Sequence, residues 1–377
     1  MREIYLDNAA STRTSDAAAE TALRMMTQEY ANPSSLHRGG FLAQQALERA
    51  RGEIAAAIGA DSSEIIFCSG GTEANNLAVL GAAAAHHRRG KTIITTAVEH
   101  SSVYEPVQHL ESQGFTVKII PPAPDGSADI DAIAEAVDED AILVTCMYVN
   151  SETGAVSNIA AIAAKVKRKN PKALFHTDAV QAFGKLPVTV QGIDLMSVSG
   201  HKIHAPKGSG ALFLRRGARI LPIMYGGGHE NGLRVGTQST PLCCAFGTAA
   251  RECAENREQF YIHVSKLAEY FRIKAERFDG ICINSPINGT PYIQNISMPG
   301  YKSETVLHYL AERGVYASSG SACSKGKRSR ILTAMNFPPK LIDSALRVSF
   351  SRYNTAEDVD AFFDCLADAK RDIACVR

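Results

Sequence analysis

Ala141-Ile142-Leu143-Val144-Thr145-Cys146 is a run with almost no polar interruption. A strand with one wet face alternates apolar and polar residues, whereas a near-continuous apolar run suits a parallel strand covered on both faces. The same texture recurs on either side of it. Upstream lie Glu64-Ile65-Ile66-Phe67-Cys68, Lys91-Thr92-Ile93-Ile94-Thr95-Thr96 and Phe115-Thr116-Val117-Lys118-Ile119-Ile120, the last closed by Pro121, Pro122 and Pro124. Downstream lie Ala173-Leu174-Phe175-His176, Leu195-Met196-Ser197-Val198 and Ala211-Leu212-Phe213-Leu214. Helical stretches are predicted between them, from about Thr72 to His87 and from Ile159 to about Lys169, where Asn170-Pro171 ends the helix. Strands interleaved with helices predict an α/β fold with a mainly parallel sheet flanked by helices. After about residue 256 the texture changes. An amphipathic helix is expected from about Arg257 to Arg277, then short strands and helices, and a last helix from about Ala356 to Lys370. The expected division is a large domain over 15–256 and a smaller α+β domain built from 1–14 and 257–377.

The bulk numbers fit a globular chain with room for a deep pocket: 377 residues, 45% apolar and 21% charged. Forty basic residues face 39 acidic ones, which argues against general affinity for nucleic acid or a membrane surface. No apolar run is long enough to span a bilayer. Met1-Arg2-Glu3-Ile4-Tyr5 lacks the apolar core of a signal peptide, so a cytoplasmic location is expected. The nine cysteines include no C-x-x-C pair and are expected to be reduced. Most should be small buried hydrophobes.

In an open parallel sheet, ligands gather beyond the carboxyl ends of the strands. Ser69-Gly70-Gly71-Thr72-Glu73 follows the first strand; its glycines allow close backbone approach, and the helix start offers N–H groups to a phosphate. A plain strand–helix turn with Thr72 as cap is the competing reading. Glu99-His100-Ser101-Ser102 and Asn150-Ser151-Glu152-Thr153-Gly154 follow later strands; His100 alone would read as a structural histidine. Asp178 comes directly after an apolar run, where a carboxylate is costly unless paired, and a helix cap is its alternative. Lys202, in Ser199-Gly200-His201-Lys202-Ile203-His204, lies one strand-to-strand excursion later. A lysine, a carboxylate and a phosphate seat suit a cofactor with an aldehyde, a basic ring nitrogen and a phosphate. His201 and His204 have no evident third ligand, so no metal is expected.

These residues match a known pattern. Tyr5-Leu6-Asp7-Asn8-Ala9-Ala10, Asn32-Pro33-Ser34-Ser35-Leu36-His37, Ser69 to Asn76, Glu99-His100, Asn150 to Gly154, His176-Thr177-Asp178, Ser199 to Lys202 and Arg234-Val235-Gly236-Thr237 stand in one order. In that order they resemble the NifS/IscS-type cysteine desulfurases of the class-V aminotransferase group. The resemblance covers nearly the whole chain and implies a seven-stranded sheet of the type I pyridoxal-phosphate transferase fold.

It also implies roles. Lys202 would be the Schiff-base lysine of pyridoxal 5'-phosphate. Asp178 would face the pyridine nitrogen, Gln181 the ring hydroxyl oxygen, and His100 would stack on the ring and move protons. Gly71, Thr72, Ser199 and His201 would form the phosphate site, completed by Thr237 from a second subunit of a homodimer. Asn150 and Arg347 would hold the carboxylate of L-cysteine, an Arg fork suiting it bidentately; a surface ion pair is the other reading of Arg347. Cys323, in Ser318-Ser319-Gly320-Ser321-Ala322-Cys323-Ser324-Lys325-Gly326-Lys327-Arg328, matches the family's nucleophile loop, and its basic neighbours favour a thiolate. The implied reaction gives L-alanine and a Cys323 persulfide for an acceptor protein.

The stretch from Cys323 to Leu332 lacks the Leu-Glu-Pro-Ser type segment of housekeeping members, and the chain stops at Arg377 without the longer tail that often meets a scaffold. The acceptor therefore stays open between an iron–sulfur cluster assembly scaffold and a tRNA- or thiamine-thiolation protein. The competing functions are a selenocysteine lyase, a small-amino-acid aminotransferase, or a silent scaffold for sulfur-transfer partners.

Overall fold

Each buried strand of the central sheet carries apolar side chains on both of its faces, and this sets the layering. The computed structural model describes residues 3–319 and 328–375. Along the chain run β1 (Ile4–Tyr5), α1 (Asp16–Thr27), α2 (Arg38–Ile58), β2 (Ile65–Cys68), α3 (Gly71–His86), β3 (Thr92–Thr96), α4 (Ser101–Ser112), β4 (Thr116–Ile120), α5 (Ile130–Ala136), β5 (Ala141–Thr145) and α6 (Ile159–Lys169). They are followed by β6 (Leu174–Asp178), β7 (Leu195–Ser199), β8 (Gly210–Leu214), α7 (Thr240–Arg277), β9 (Cys282–Ile283), β10 (Ile293–Ser297), α8 (Ser303–Glu312) and β11 (Val315–Tyr316). The chain closes with α9 (Arg330–Ala334), α10 (Pro339–Ile342), β12 (Ala345–Ser349) and α11 (Ala356–Asp372).

The seven-stranded sheet has the order β2-β8-β7-β6-β5-β3-β4. All pairings are parallel except those of β8, which runs antiparallel to both β2 and β7. Alternation divides the core. Ile66, Leu174, Leu195 and Leu212 pack on one face with Ala74 and Leu77 of α3 and Val103 and Val107 of α4. Phe67, Phe175, Met196 and Phe213 pack on the other with Ile54 of α2, Ile162 of α6 and Phe246 of α7. Both faces are dry, so the strands read as continuous apolar runs rather than alternating ones. Helix ends follow their local signals: Asn158 caps α6 through Ala161 N at 3.1 Å, and Lys167, Arg168 and Lys169 sit in its last turn.

Helix α7 departs from expectation. It begins at Thr240, well before Arg257, and the boundary expected at 256/257 falls inside it. Its first half, Cys243-Cys244-Ala245-Phe246-Gly247 with Ala249 and Ala250, is buried against α1 and α2, so it shows no amphipathic period to read. Beyond α7, β12-β10-β9 form a small antiparallel sheet, and β1 pairs in parallel with β11. The N-terminal segment therefore lies against elements from the far end of the sequence. Among the described residues no helix is long and apolar enough to cross a membrane.

Candidate active site

Parallel neighbours β6 and β7 end side by side, at Asp178 and Ser199. The carboxyl edge of the sheet thus gathers Asp178, Ser199, His201 and Lys202, with His100 four residues beyond the end of β3. Asp178 is 4% exposed. Its Oδ2 accepts from Asn75 Nδ2 at 2.8 Å and its Oδ1 from Val180 N at 3.0 Å. Asn75 also donates to Ser102 Oγ at 2.8 Å, and Ser102 Oγ lies 2.7 Å from His100 Nδ1. His100 Nδ1 also accepts from Ser102 N and caps α4, so in the neutral ring the proton sits on Nε2. Burial lowers the His100 pKa; Asp178 opposes the shift, and Lys202 and Arg330 add to it. One polar chain, Asp178–Asn75–Ser102–His100, therefore ties together three elements.

Lys202 Nζ donates to the carbonyls of Ala9 and Ala10, at 2.6 and 2.7 Å. Gln181 Nε2 donates to the same Ala9 carbonyl at 2.8 Å, so Gln181 and Lys202 converge on one atom of the N-terminal segment. The expected phosphate seat has the parts an anion needs. Gly70 caps α3 without any side-chain bond, Thr72 is exposed in the first turn, and the buried Ser199 Oγ has no partner among the described residues. Thr72 is thus not the cap that the plainer reading required. A Cβ on Gly71 would come within 2.6 Å of Val180 Cγ2, and one on Gly210 within 2.6 Å of Gly70 Cα, so both glycines answer to close approach. His201, whose Nδ1 is 3.4 Å from Ser11 Oγ, has its pKa brought down to about 4 by burial and then by Lys202 and other lysines. An orphaned buried hydroxyl, an uncapped helix start and a paired buried carboxylate beside a lysine fit pyridoxal 5'-phosphate.

Arg347 is 4% exposed, so the surface-ion-pair reading does not hold. Its Nη2 donates to Asp7 Oδ1 at 2.8 Å and its Nη1 to the Ser151 carbonyl at 2.9 Å, while the buried Nε–H has no partner among the described residues. Asn150 Oδ1 accepts from Glu152 N and Thr153 N and its Nδ2 donates to the Val98 carbonyl, which fixes its amide. Thr237 is exposed. Among the described residues no hydrogen bond joins it to Thr72, Ser199 or His201; its neighbours Arg234 and Gln238 bind Glu73 and Glu230. Cys323, Lys325 and Lys327 lie outside the described residues. Both described flanks of that stretch lead into the site: Ser318 pairs with Arg347, and Ser329 Oγ donates to Glu152 Oε2 at 2.5 Å. Five of the described cysteines are buried, and burial pushes the thiols of Cys244 and Cys253 up to about 11 and about 12, which leaves them inert.

The sequence reading missed several participants. Asn75 falls within the matched stretch Ser69 to Asn76 but was given no role there; it stands one helical turn after Gly71 on α3. Arg330 donates to the carbonyls of Ala97 and Glu99 and lies 4.0 Å over the Tyr104 ring. Glu99 is fully buried, and burial raises its carboxyl to about 7.

The sequence pattern described as aminotransferase class-V matches residues 4–362. The chain belongs to that family. Within it, the chain is 38% identical over 371 residues to "Cysteine desulfurase IscS" of Dictyoglomus turgidum, covering 97% of this chain and 94% of that protein. It is also 38% identical to "Putative cysteine desulfurase IscS 1" of Bacillus subtilis, covering 98% of both. A solved NifS-like protein superposes with a TM-score of 0.94 at 33% identity, covering 99% of this chain and 100% of that one. A second structure, "SspA in complex with cysteine", gives 0.82 at 33% identity over 93% of this class-V chain and 100% of that one.

Proposed function

We propose that this class-V family member is a pyridoxal-phosphate-dependent cysteine desulfurase that converts L-cysteine to L-alanine and leaves a persulfide on Cys323. One observation carries the reading: Lys202, Asp178 and His100 converge at the carboxyl edge of the sheet, and the buried Nε–H of Arg347 has no partner among the described residues. The cysteine desulfurase names of full-length relatives and the cysteine-bound SspA support the substrate.

Pyridoxal 5'-phosphate, when bound, would supply an aldehyde reactive toward amines and a ring able to take up an electron pair. Thr72, Ser199, His201 and the N–H groups at the start of α3 would hold its phosphate. Asp178 would keep a proton on its pyridine nitrogen, and Gln181 would face its phenolic oxygen. Arg347 and Asn150 grip the substrate carboxylate, the Arg through its free Nε–H edge. Lys202 Nζ would move the α-proton of the substrate. Cys323 thiolate then attacks the substrate sulfur. The S–S bond forms, the Cβ–S bond breaks, and its electron pair stays with carbon. That carbon gains a proton, delivered from the His100 side, and leaves as alanine.

The same reading makes the chain a cytoplasmic homodimer of two lobes, 15–256 against 1–14 with 257–377, that passes sulfur to an iron–sulfur scaffold or a thiolation protein. The test is product analysis. With L-cysteine, alanine should form in step with a protein-bound persulfide, and Cys323→Ala should keep the yellow cofactor yet yield no persulfide. A keto acid in place of alanine would overturn the reading.

A further inference from the structure

Lys185 is a buried amine that the proposed reaction leaves without a task. It is 8% exposed, and its Nζ donates to Gln181 Oε1 at 3.0 Å. The Tyr292 ring lies 5.7 Å away, and a small cavity of about 20 Å³ touches Lys185 and Lys202 as well as Cys253 and Arg352. Burial, then the charge of Lys202, brings the Lys185 amine down to about 7. Keeping such a group out of water is costly, so the fold retains it against that cost.

Its partner shows what it does. A glutamine amide presents an acceptor at one end and a donor at the other, and its orientation depends on its neighbours. In its ammonium form Lys185 can only donate, so it holds Oε1. The Nε2 end then points to the other side, where it donates to the Ala9 carbonyl that Lys202 also reaches. We propose that Lys185 is a positioning residue: by occupying Gln181 Oε1 it presents the Gln181 NH2 to the Lys202 side of the site, where a cofactor oxygen must therefore be an acceptor.

This inference rests on the pyridoxal-phosphate reading. A donor on the phenolic oxygen favours its anionic form. It thereby lowers the pH at which the proton shared between that oxygen and the Lys202 nitrogen is lost. The other charged or titratable groups that face Lys185 are Lys202, Arg347, the Cys253 thiol, His201, His204 and Tyr292, with Arg352 on the same cavity. A pure charge effect of Lys185 would act in the same direction, so the experiment must separate the two.

The experiment is a double-mutant cycle read by the pH titration of the visible band of the bound cofactor. Lys185→Met should raise the midpoint by about one unit or more. In a Gln181→Ala background the same substitution should add no shift. An equal shift in both backgrounds would make Lys185 a distant charge and overturn the proposal, as would an unmoved midpoint in Lys185→Met. Should that variant not accumulate folded, Lys185→Gln is read by the same criteria. Equilibrium dialysis of the apo-protein with pyridoxal 5'-phosphate separates the two claims. Wild-type protein that takes up no cofactor defeats the parent reading, whereas uptake with a null cycle defeats only the role of Lys185.

Discussion

At the scale of single residues, the site is built on satisfying buried charge. Among the described residues Asp178 has no cation at hydrogen-bond distance; Asn75 and the Val180 N–H hold its carboxylate instead. Asn75→Ala strips one bond from a buried carboxylate, a loss of about 1–3 kcal/mol. The expected outcome is a lower melting temperature and weaker cofactor retention, checked by calorimetry and by absorbance after gel filtration. Arg347→Lys keeps a positive charge but loses the planar fork. KM for cysteine should rise roughly tenfold to a hundredfold, as expected for losing a charge-assisted hydrogen bond, with a smaller change in kcat. Steady-state kinetics decide it. The residues whose signals were legible share one property: a polar side chain at or within three residues of the end of an apolar strand. Asp178 ends β6, and Lys202 lies three residues past β7. Lys185 and Arg330 do not, because a basic residue in a mixed stretch reads as solvated. Their partners, Gln181 and the Ala97 and Glu99 carbonyls, are found only once distant segments meet.

At the scale of elements, close approach dominates. Gly71 opens α3 against Val180, and Val180 N–H is a ligand of Asp178. Gly71→Ala should therefore push Val180 and disturb the carboxylate. Cofactor affinity should fall at least tenfold while the helix itself loses little, since alanine is the better helix former. Val180→Ala in the same chain should restore much of the affinity, as measured by cofactor titration. A second elementary joint is the buried pair of Arg51 and Glu230, with contacts of 2.7 and 2.9 Å. Glu230 Oε2 also accepts from Phe67 N at 2.8 Å, and this holds residues 230 and 231 in left-handed backbone. Removing one partner leaves the other charged and buried, a loss of about 3 kcal/mol or more. Strand positions were legible in the sequence because both sheet faces are apolar. The start of α7 was not, because a helix buried all round by Ala, Cys and Gly carries no period.

At the scale of the whole molecule, protonation and association are the levers. Burial is the first cause that lowers the pKa of His86, His100, His176, His201 and His204, with His176 at about 3 and His201 and His204 at about 4. Depressed histidines give stability that is fully present above about pH 6.5, their unfolded value, and lost as the pH falls toward their folded values. Glu99 and Glu152, raised by burial, act with the opposite sign. Five groups outweigh two, so the melting temperature should drop between pH 7 and pH 5. A scan in buffers of matched ionic strength checks it. The exposed Leu23, Met26, Tyr30, Leu36 and Phe41, together with exposed Thr237, support the proposed homodimer. Mixing Thr237→Ala chains with Lys202→Ala chains should regain one intact site per hybrid dimer, read as restored cofactor binding. A strictly monomeric protein with full cofactor occupancy would refute the shared site.

The N-terminal segment has a bearing on how the protein is made. Asp7 grips Arg347 across 340 positions of sequence, and the Ala9 and Ala10 carbonyls roof Lys202. During translation the wall of the pocket is made 340 positions before the arginine it grips. The proposed vitamin site can close only once both segments have left the ribosome.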